Sequence, residues 1–344
     1  MFIIATPLLV VIGIDLAKGQ WTGDEITQFA VIFAFGHHLP GMMRAYGDRE
    51  LFQRFRTRFI LAPIVLILVC VAATTSGHPA IFPLALAWGW WHYGMQTYGF
   101  MRIYDAKVGS LDRTTQILDR VMCLAWFATP MLLFSGFSNV LPDLLARAQQ
   151  AGLPLLSSLS VDGVRTGIAA AVTGVTGAFL INAGWRWSRG SGPSPQKLFL
   201  MVTTFALYWY SVTTVANIMV AYALFEIFHD IQYLTIVWAF NRGRAKQGAN
   251  LPAFTRFLFQ PRLARIGLYL ALIFSYGLFV QTTRAHSSEA MRGVWEGVFL
   301  ASMLLHYYYD GFIWKLREAS TQAPLGLQVA GRGEAVGATG VAGA

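Results

Sequence analysis

The sequence predicts an all-α protein, a polytopic integral membrane bundle of about ten transmembrane helices. Hydrophobic residues make up 55% of the 344 residues, and charged residues only 12%. Soluble domains usually carry about 25% charged residues, so a soluble core cannot hide this much apolar surface. Apolar runs recur along nearly the whole chain, and no segment between them is long enough to fold separately. We therefore do not expect an ordinary soluble enzyme.

Each crossing of a membrane needs about 20 predominantly apolar residues. The long apolar run from Leu198 to Phe240 is divided near Thr213, because it is long enough for two crossings. The predicted crossings are residues 1–16, 26–43, 59–76, 80–101, 117–138, 164–185, 197–214, 217–240, 264–281 and 292–314. An amphipathic helix at the membrane surface is expected near residues 141–150.

Lys and Arg predict the orientation, because basic loops stay on the cytoplasmic side of a membrane. Of the 26 Lys and Arg residues, 20 fall on one side of the ten-helix arrangement and five on the other, and Arg332 lies in the tail. We therefore expect a bacterial inner (plasma) membrane protein with both termini in the cytoplasm. The basic residues lie in short loops, so the net charge of +9 predicts contact with membrane lipids and no nucleic-acid partner.

The predicted membrane domain covers residues 1–318. Residues 319–344 are predicted to form a disordered cytoplasmic tail, because Gly and Ala dominate this segment. Cys70 and Cys123 both fall inside apolar runs, which argues against a disulfide framework and a thiolate metal site.

Histidines and carboxylates are concentrated inside the predicted crossings, where ionisable groups are costly and usually mark a pathway or a site. Five of the seven histidines fall there, whereas His78 and His286 lie in outer loops. The segments that contain them are FGHHLP from Phe35, WHYGMQ from Trp91, EIFHD from Glu226 and HYYYD from His306. The functional prediction therefore depends on these four crossings.

These histidines are predicted to lie at a similar depth in the membrane. Their segments belong to the second, fourth, eighth and tenth crossings, which all run from outside to inside. The histidines lie about 5 to 11 residues from the cytoplasmic ends, or roughly 8 to 17 Å at about 1.5 Å per residue. Four parallel helices are therefore expected to place five imidazoles in one layer.

Spacing within the helices predicts paired side chains, because residues three or four apart share a face. Glu226 pairs with His229 in this way, and His306 with Asp310. Imidazole and carboxylate are good ligands for Fe, Mn or Zn. The candidate metal ligands are His37, His38, His92, His229 and His306.

Adjacent histidines diverge by about 100° on a helix, so His37 and His38 cannot both face one point in a straight helix. Either one of them supports the ligands without binding the metal, or a kink at Pro40 re-aims the pair. Glu226 and Asp310 are expected either to ligate the metal or to orient the imidazoles. Tyr307 is a candidate catalytic hydrogen-bond donor, with aromatic packing as the alternative.

A cluster of histidines inside a polytopic chain without a soluble domain resembles the membrane-embedded non-haem iron enzymes, which include lipid desaturases and hydroxylases and the Brp/Blh carotenoid dioxygenases. The resemblance implies non-haem iron and an oxygenase, desaturase or hydroxylase reaction on a lipophilic substrate such as a lipid, carotenoid or quinone. It also implies substrate access from the bilayer, a pocket lined by aromatic residues around His92 and His306, and an electron donor protein as a candidate partner.

Three other functions fit the same residues. A proton-coupled transporter would use the buried histidines and carboxylates as a relay, and it predicts broken helices near Pro40 or Pro83. A haem-binding electron carrier would need two axial histidines from facing helices. A structural accessory subunit is the third alternative.

Overall fold

The computed structural model of this protein describes residues 2–17, 19–110, 112–129, 137–152, 160–248 and 251–327. Within these ranges all regular secondary structure is helical, so the all-α prediction is confirmed. The helices in chain order are α1 (Phe2–Ala17), α2 (Gly23–Gly36), α3 (His38–Gly47), α4 (Arg49–Arg54), α5 (Arg56–Thr75), α6 (Ile81–Lys107), α7 (Arg113–Phe127), α8 (Phe137–Gln150), α9 (Val161–Ser188), α10 (Pro195–Thr214), α11 (Ile218–Lys246), α12 (Ala253–Leu258), α13 (Leu263–His286), α14 (Glu289–Ile313) and α15 (Ala319–Gln322), followed by a 3₁₀ turn at Ala323–Leu325.

Four of the described helices, α5, α9, α11 and α13, are both long and apolar enough to cross a membrane. The polytopic membrane prediction is therefore confirmed only in part, since the sequence predicts ten crossings. Helices α6 and α14 have 27 and 25 residues, but they contain histidines, tyrosines and charged residues that lower their mean hydropathy. Polar side chains thus account for part of the difference between the ten predicted crossings and the four helices that are apolar enough to cross.

The predicted second crossing, residues 26–43, is broken at His37 into α2 and α3. Pro40 has no amide hydrogen, so the Gly36 carbonyl loses the donor that a straight helix would supply four residues later. The His37 amide donates to the Phe33 carbonyl and completes α2, and α3 begins at the next residue. The break therefore falls within the histidine segment itself.

The predicted fifth crossing, residues 117–138, is interrupted after Phe127. Helix α7 ends at Phe127, as expected for a helix with Pro130 just beyond its end. Residues 130–136 lie outside the described ranges. Helix α8 covers the surface helix predicted at residues 141–150. The division near Thr213 is confirmed, because α10 ends at Thr214 and the Asn217 side chain caps the start of α11.

Helix α11 occupies the centre of the bundle, where it contacts α1, α2, α3 and α10. Of its apolar stretch, 72% is buried, compared with 6% for α9. Helix α11 is therefore the most buried of the four apolar helices, and it places Glu226, His229 and Asp230 in the protein interior.

Glycines let the helices that carry histidines approach their outer neighbours closely. A Cβ atom on Gly277 of α13 would lie 1.8 Å from the Ile32 carbonyl oxygen of α2. A Cβ atom on Gly297 of α14 would lie 2.5 Å from the Val71 Cα atom of α5. Small residues permit such contacts and are typical of helix packing in membranes. The positions of α2 and α14 are therefore fixed by backbone contact.

Three basic residues that the sequence assigns to cytoplasmic loops, Arg44, Arg102 and Lys197, are buried. Lys197 Nζ donates to Asp105 at 2.8 Å and to Asp119 at 2.6 Å, and Arg102 Nη1 donates to Asp105 at 2.8 Å. This network joins α6, α7 and α10. The three charges act inside the protein, which reduces the loop charges on the predicted cytoplasmic side from 20 to 17.

The first part of the predicted disordered tail is folded. Helix α15 and the 3₁₀ turn cover Ala319–Leu325, and Thr321 and Leu327 are buried. The 3₁₀ turn packs on α11 at Gly243, where a Cβ atom would lie 1.9 Å from the Pro324 carbonyl oxygen. The packed chain thus continues to residue 327 and not only to residue 318. The rest of the predicted tail lies outside the described ranges.

Candidate metal centre

The break between α2 and α3 brings the adjacent residues His37 and His38 into one buried site. A continuous helix would turn the two side chains about 100° apart. Instead, their ring centroids lie 4.5 and 5.1 Å from that of His306 on α14. Both histidines therefore lie beside His306, at the point where the helix is interrupted.

His92 on α6 and His229 on α11 complete the cluster. The His92 ring centroid lies 4.7 Å from that of His306 and 5.0 Å from that of His229. The His37 ring lies 5.2 Å from the His229 ring. None of the five histidines is more than 6% exposed. The structure therefore brings together all five histidines that the sequence places at one depth.

Two ring nitrogens of the cluster are in direct contact. His37 Nε2 and His306 Nε2 are 3.0 Å apart, which is hydrogen-bond distance between the two imidazoles and is also close enough for both nitrogens to bind one ion. Among the described residues, His92 Nε2 and His229 Nε2 have no hydrogen-bond partner, and His306 has none at Nδ1, the nitrogen that does not contact His37. Buried polar atoms normally have partners, so His92 Nε2 and His229 Nε2 are available to a cation or a proton.

His38 differs from the other four histidines, because its Nδ1 atom lies 3.3 Å from the Ser302 hydroxyl. Three sets of side chains could each hold a metal ion, with ligand atoms within 4.8 Å of one another, and His38 belongs to none of them. The sets are His37, His229 and His306; His92, His306 and Asp310; and His37, Glu226 and Asp230. Because they share His37 and His306, they form one connected centre.

Helix α11 supplies two carboxylates, one turn apart. Glu226 Oε2 accepts a hydrogen bond from the Tyr93 hydroxyl. Asp230 Oδ1 lies 2.7 Å from His37 Nδ1 without hydrogen-bond geometry, and neither Asp230 oxygen has a hydrogen-bond partner among the described residues. The contact is therefore electrostatic, and the Asp230 oxygens are available to a cation or a proton.

The third carboxylate, Asp310, is held at the C-terminal end of α14. Its Oδ1 atom accepts hydrogen bonds from the Tyr233 hydroxyl and the Trp314 indole, both at 3.1 Å. Its Oδ2 atom lies 3.8 Å from His306 Nε2, which is too long for a direct hydrogen bond. Two donors thus fix Asp310 beside the most central histidine.

Tyr307 packs on His92, with ring centroids 4.5 Å apart and the rings nearly parallel. A Cβ atom on Gly89 would lie 3.2 Å from the Tyr307 hydroxyl oxygen, so this hydroxyl group lies beside α6 one turn before His92. Tyr307 thus packs beside the cluster, and its role as a catalytic hydrogen-bond donor stays a prediction. His78 and His286 are exposed, and neither contacts the cluster.

Four residues of the centre, Asp230, Tyr93, Tyr233 and Trp314, are not among the site residues predicted from the sequence. Asp230 and Tyr233 had a local signal, because they lie four and seven residues after Glu226 on the same helix face. Tyr93 had none, since its partner Glu226 is 133 residues away.

An apolar groove of about 570 Å³ lies between α7, α9 and α10, and Trp126, Phe205 and Trp209 are among its lining residues. No lining residue of this groove belongs to the metal centre. This groove is therefore not the substrate pocket predicted around His92 and His306.

No known protein family matches the chain, and comparison with curated proteins and with solved structures found no significant match. The function is therefore inferred from the chemistry of the site alone. The site is a buried centre of histidines and carboxylates inside a helical bundle.

Proposed function

We propose that the protein is a membrane-embedded oxidoreductase that uses a non-haem metal, in the first instance iron, to oxygenate, desaturate or hydroxylate a lipophilic substrate. Mn or Zn are the alternative metals. The observation that carries the proposal is that four buried histidines and three carboxylates form three overlapping sets of possible ligands, with His38 beside them. Separate structural histidines would not need to meet, whereas metal ligands must.

The spacing of the rings favours a non-haem ion over haem. A porphyrin keeps its two axial nitrogens on opposite faces, about 4 Å apart for metal–nitrogen bonds of about 2.0 Å. His37 Nε2 and His306 Nε2 are only 3.0 Å apart, and the His92 ring lies 4.7 Å from the His306 ring. This spacing suits a single ion and leaves no room for a macrocycle between the rings.

The side chains have distinct roles in this proposal. Bound iron would supply the one-electron and oxygen chemistry. His37, His229 and His306 would hold the ion, with carboxylates completing its shell. The Tyr93 hydroxyl would fix the orientation of Glu226, and Tyr233 with Trp314 would fix Asp310. Such donors preorganise the ligands, so that the site does not rearrange when the ion binds.

The proposal also includes the membrane arrangement. Ten crossings with both termini in the cytoplasm of a bacterial inner membrane would place the centre in the cytoplasmic half of the bilayer. A lipophilic substrate would then enter laterally from the bilayer, and a donor protein would supply electrons from the cytoplasmic side. The excess of basic residues on that side supports this orientation.

Elemental analysis of protein purified in a neutral detergent tests the proposal. We expect wild-type protein from iron-supplemented cells to contain stoichiometric metal, and His229→Ala to contain none. His286→Ala is the matched control, because this histidine is exposed and far from the cluster, and it should keep the full complement. Each preparation must first show a monodisperse size-exclusion profile. Wild-type protein free of Fe, Mn and Zn after supplementation with each would contradict the enzyme proposal.

The helix break at His37 favours a second candidate, a proton-coupled transporter. Broken helices beside buried carboxylates are typical of such carriers. In this case Asp230 and His37 would exchange a proton instead of sharing a cation. Proton uptake by reconstituted vesicles, abolished in Asp230→Asn without any metal dependence, would favour this function.

A further inference from the structure

A polar cavity lies between α2, α13 and α14, at the ends of these helices that are predicted to face the outside. Its volume is about 350 Å³, which is within the usual range of small-molecule sites, and no residue of the metal centre lines it. Five of its lining residues have long polar or charged side chains: Gln28, Gln281, Arg284, Arg292 and Glu296. Three helices thus bring hydrogen-bond donors and acceptors to one space.

Arg292 and Glu296 line this cavity without pairing to each other. They are four residues apart on α14 and share a face of the helix, so they are close enough in the chain to pair. Elsewhere a partly exposed arginine does use a nearby carboxylate, since Arg244 pairs with Asp48 at 2.6 Å. Among the described residues, Arg284, Arg292 and Glu296 form no ion pair. The cavity therefore offers two guanidinium groups and one carboxylate that have no protein counter-charge.

In the predicted membrane arrangement, the cavity lies at the depth of the lipid headgroups. Gln28 lies near the outer start of the second crossing, Gln281 at the outer end of the ninth and Arg292 at the outer start of the tenth. Trp295 follows Arg292 by one turn, and tryptophan is enriched at membrane interfaces. Gln281 and Glu296 are half-buried, so water reaches them only in part. A ligand with charged groups at headgroup depth would meet these side chains.

We propose that this cavity binds a phosphate ester that carries an ammonium group, either as the headgroup of a zwitterionic lipid or as a free molecule. The guanidinium groups of Arg284 and Arg292 donate paired hydrogen bonds to the phosphate oxygens. The Glu296 carboxylate accepts from the ammonium group, and the amides of Gln28 and Gln281 donate to ester oxygens. A simple anion would meet the negative charge of Glu296, so this residue selects the zwitterion. The site is separate from the metal centre, and it can be tested on metal-free protein.

Calorimetric titration of the full chain in a maltoside detergent with O-phosphoethanolamine tests the site. We expect saturable binding that is at least tenfold tighter than the binding of inorganic phosphate or of ethanolamine. Dihexanoyl phosphatidylethanolamine separates the two sources, because tighter binding of this lipid assigns the site to a lipid headgroup, whereas equal or weaker binding assigns it to the free ester. Absence of binding by both zwitterions, or equally tight binding of inorganic phosphate, would overturn the proposal.

Variants locate the binding. Arg292→Gln should weaken the binding of O-phosphoethanolamine at least tenfold, because the phosphate loses a pair of charged donors. Glu296→Gln should remove the preference for O-phosphoethanolamine over inorganic phosphate, because the ammonium group loses its carboxylate. Arg147→Gln is the matched control, since Arg147 is exposed and does not line the cavity. Arg292 is exposed as well, so its variant should fold, and a monodisperse size-exclusion profile checks this. Unchanged affinity in Arg292→Gln, or an unchanged preference in Glu296→Gln, would refute the assignment.

Discussion

Histidine variants should lose metal in an order that the structure sets. The His306 ring lies within 6.3 Å of the other four imidazoles and takes part in two of the three candidate ligand sets. His38 takes part in none, and its Nδ1 atom already has the Ser302 hydroxyl as a partner. His306→Ala should therefore remove a ligand, whereas His38→Ala should remove a side chain that orients one.

The expected magnitudes differ clearly. Loss of an orienting side chain typically weakens metal affinity about 10- to 100-fold, or about 1.4 to 2.7 kcal/mol. We expect this range for His38→Ala and also for Asp310→Asn, which leaves the Tyr233 hydroxyl with a weaker acceptor. His306→Ala should retain no metal that survives gel filtration.

Competition with a chelator of known affinity measures these differences, with bound metal determined by elemental analysis. His78→Ala controls for the loss of a histidine elsewhere, because its side chain is exposed. Size-exclusion profiles must match the wild type before affinities are compared. A larger loss in His38→Ala than in His306→Ala would show that the ligand assignment is wrong.

Three further predictions concern stability, pH and topology. Lys197→Met should lower the free energy of unfolding in detergent by about 3 to 5 kcal/mol, because two buried aspartates lose their shared donor. Lys246→Met, at an exposed position, should have little effect on the same free energy. Bound metal should be lost on acidification through roughly pH 6 to 5, just below the ordinary histidine pKa of about 6.5, because protonated imidazole cannot bind a metal. Full retention of metal at pH 4 would point to carboxylates as the main ligands. In a cysteine-free background, single cysteines at Lys246 and Ser288 should react with impermeant reagents from opposite sides of the membrane, and labelling from the same side would contradict the orientation.

The histidine cluster could be predicted because it depends on quantities that a sequence contains. Position within an apolar run gives depth, and the alternation of crossings gives direction, so His92, His229 and His306 could be assigned to one layer without knowledge of any contact. The break at His37 was only partly predictable. Pro40 marks a kink, but the direction in which the kink turns two side chains depends on how α3 packs against α14.

Long-range partners could not be predicted. Lys197 and Arg102 have the loop positions of orientation signals, and only the structure shows their contacts with Asp105 and Asp119. Lys197 is separated from these aspartates by 92 and 78 residues. Charge counting treats every lysine in a loop alike, because burial is a property of the assembled bundle.

The two buried groups of carboxylates differ in the counter-charges that lie beside them. Asp105 and Asp119 are buried together with Lys197 and Arg102, so each negative charge has a base within 4 Å. No lysine or arginine among the described residues forms an ion pair with Glu226, Asp230 or Asp310. A buried carboxylate without a counter-charge is strongly unfavourable, so each of these three is protonated, pairs with a protonated histidine such as His37 beside Asp230, or shares a metal cation. The proposed metal would satisfy carboxylates and neutral imidazoles together, whereas the transporter alternative uses the protonated states.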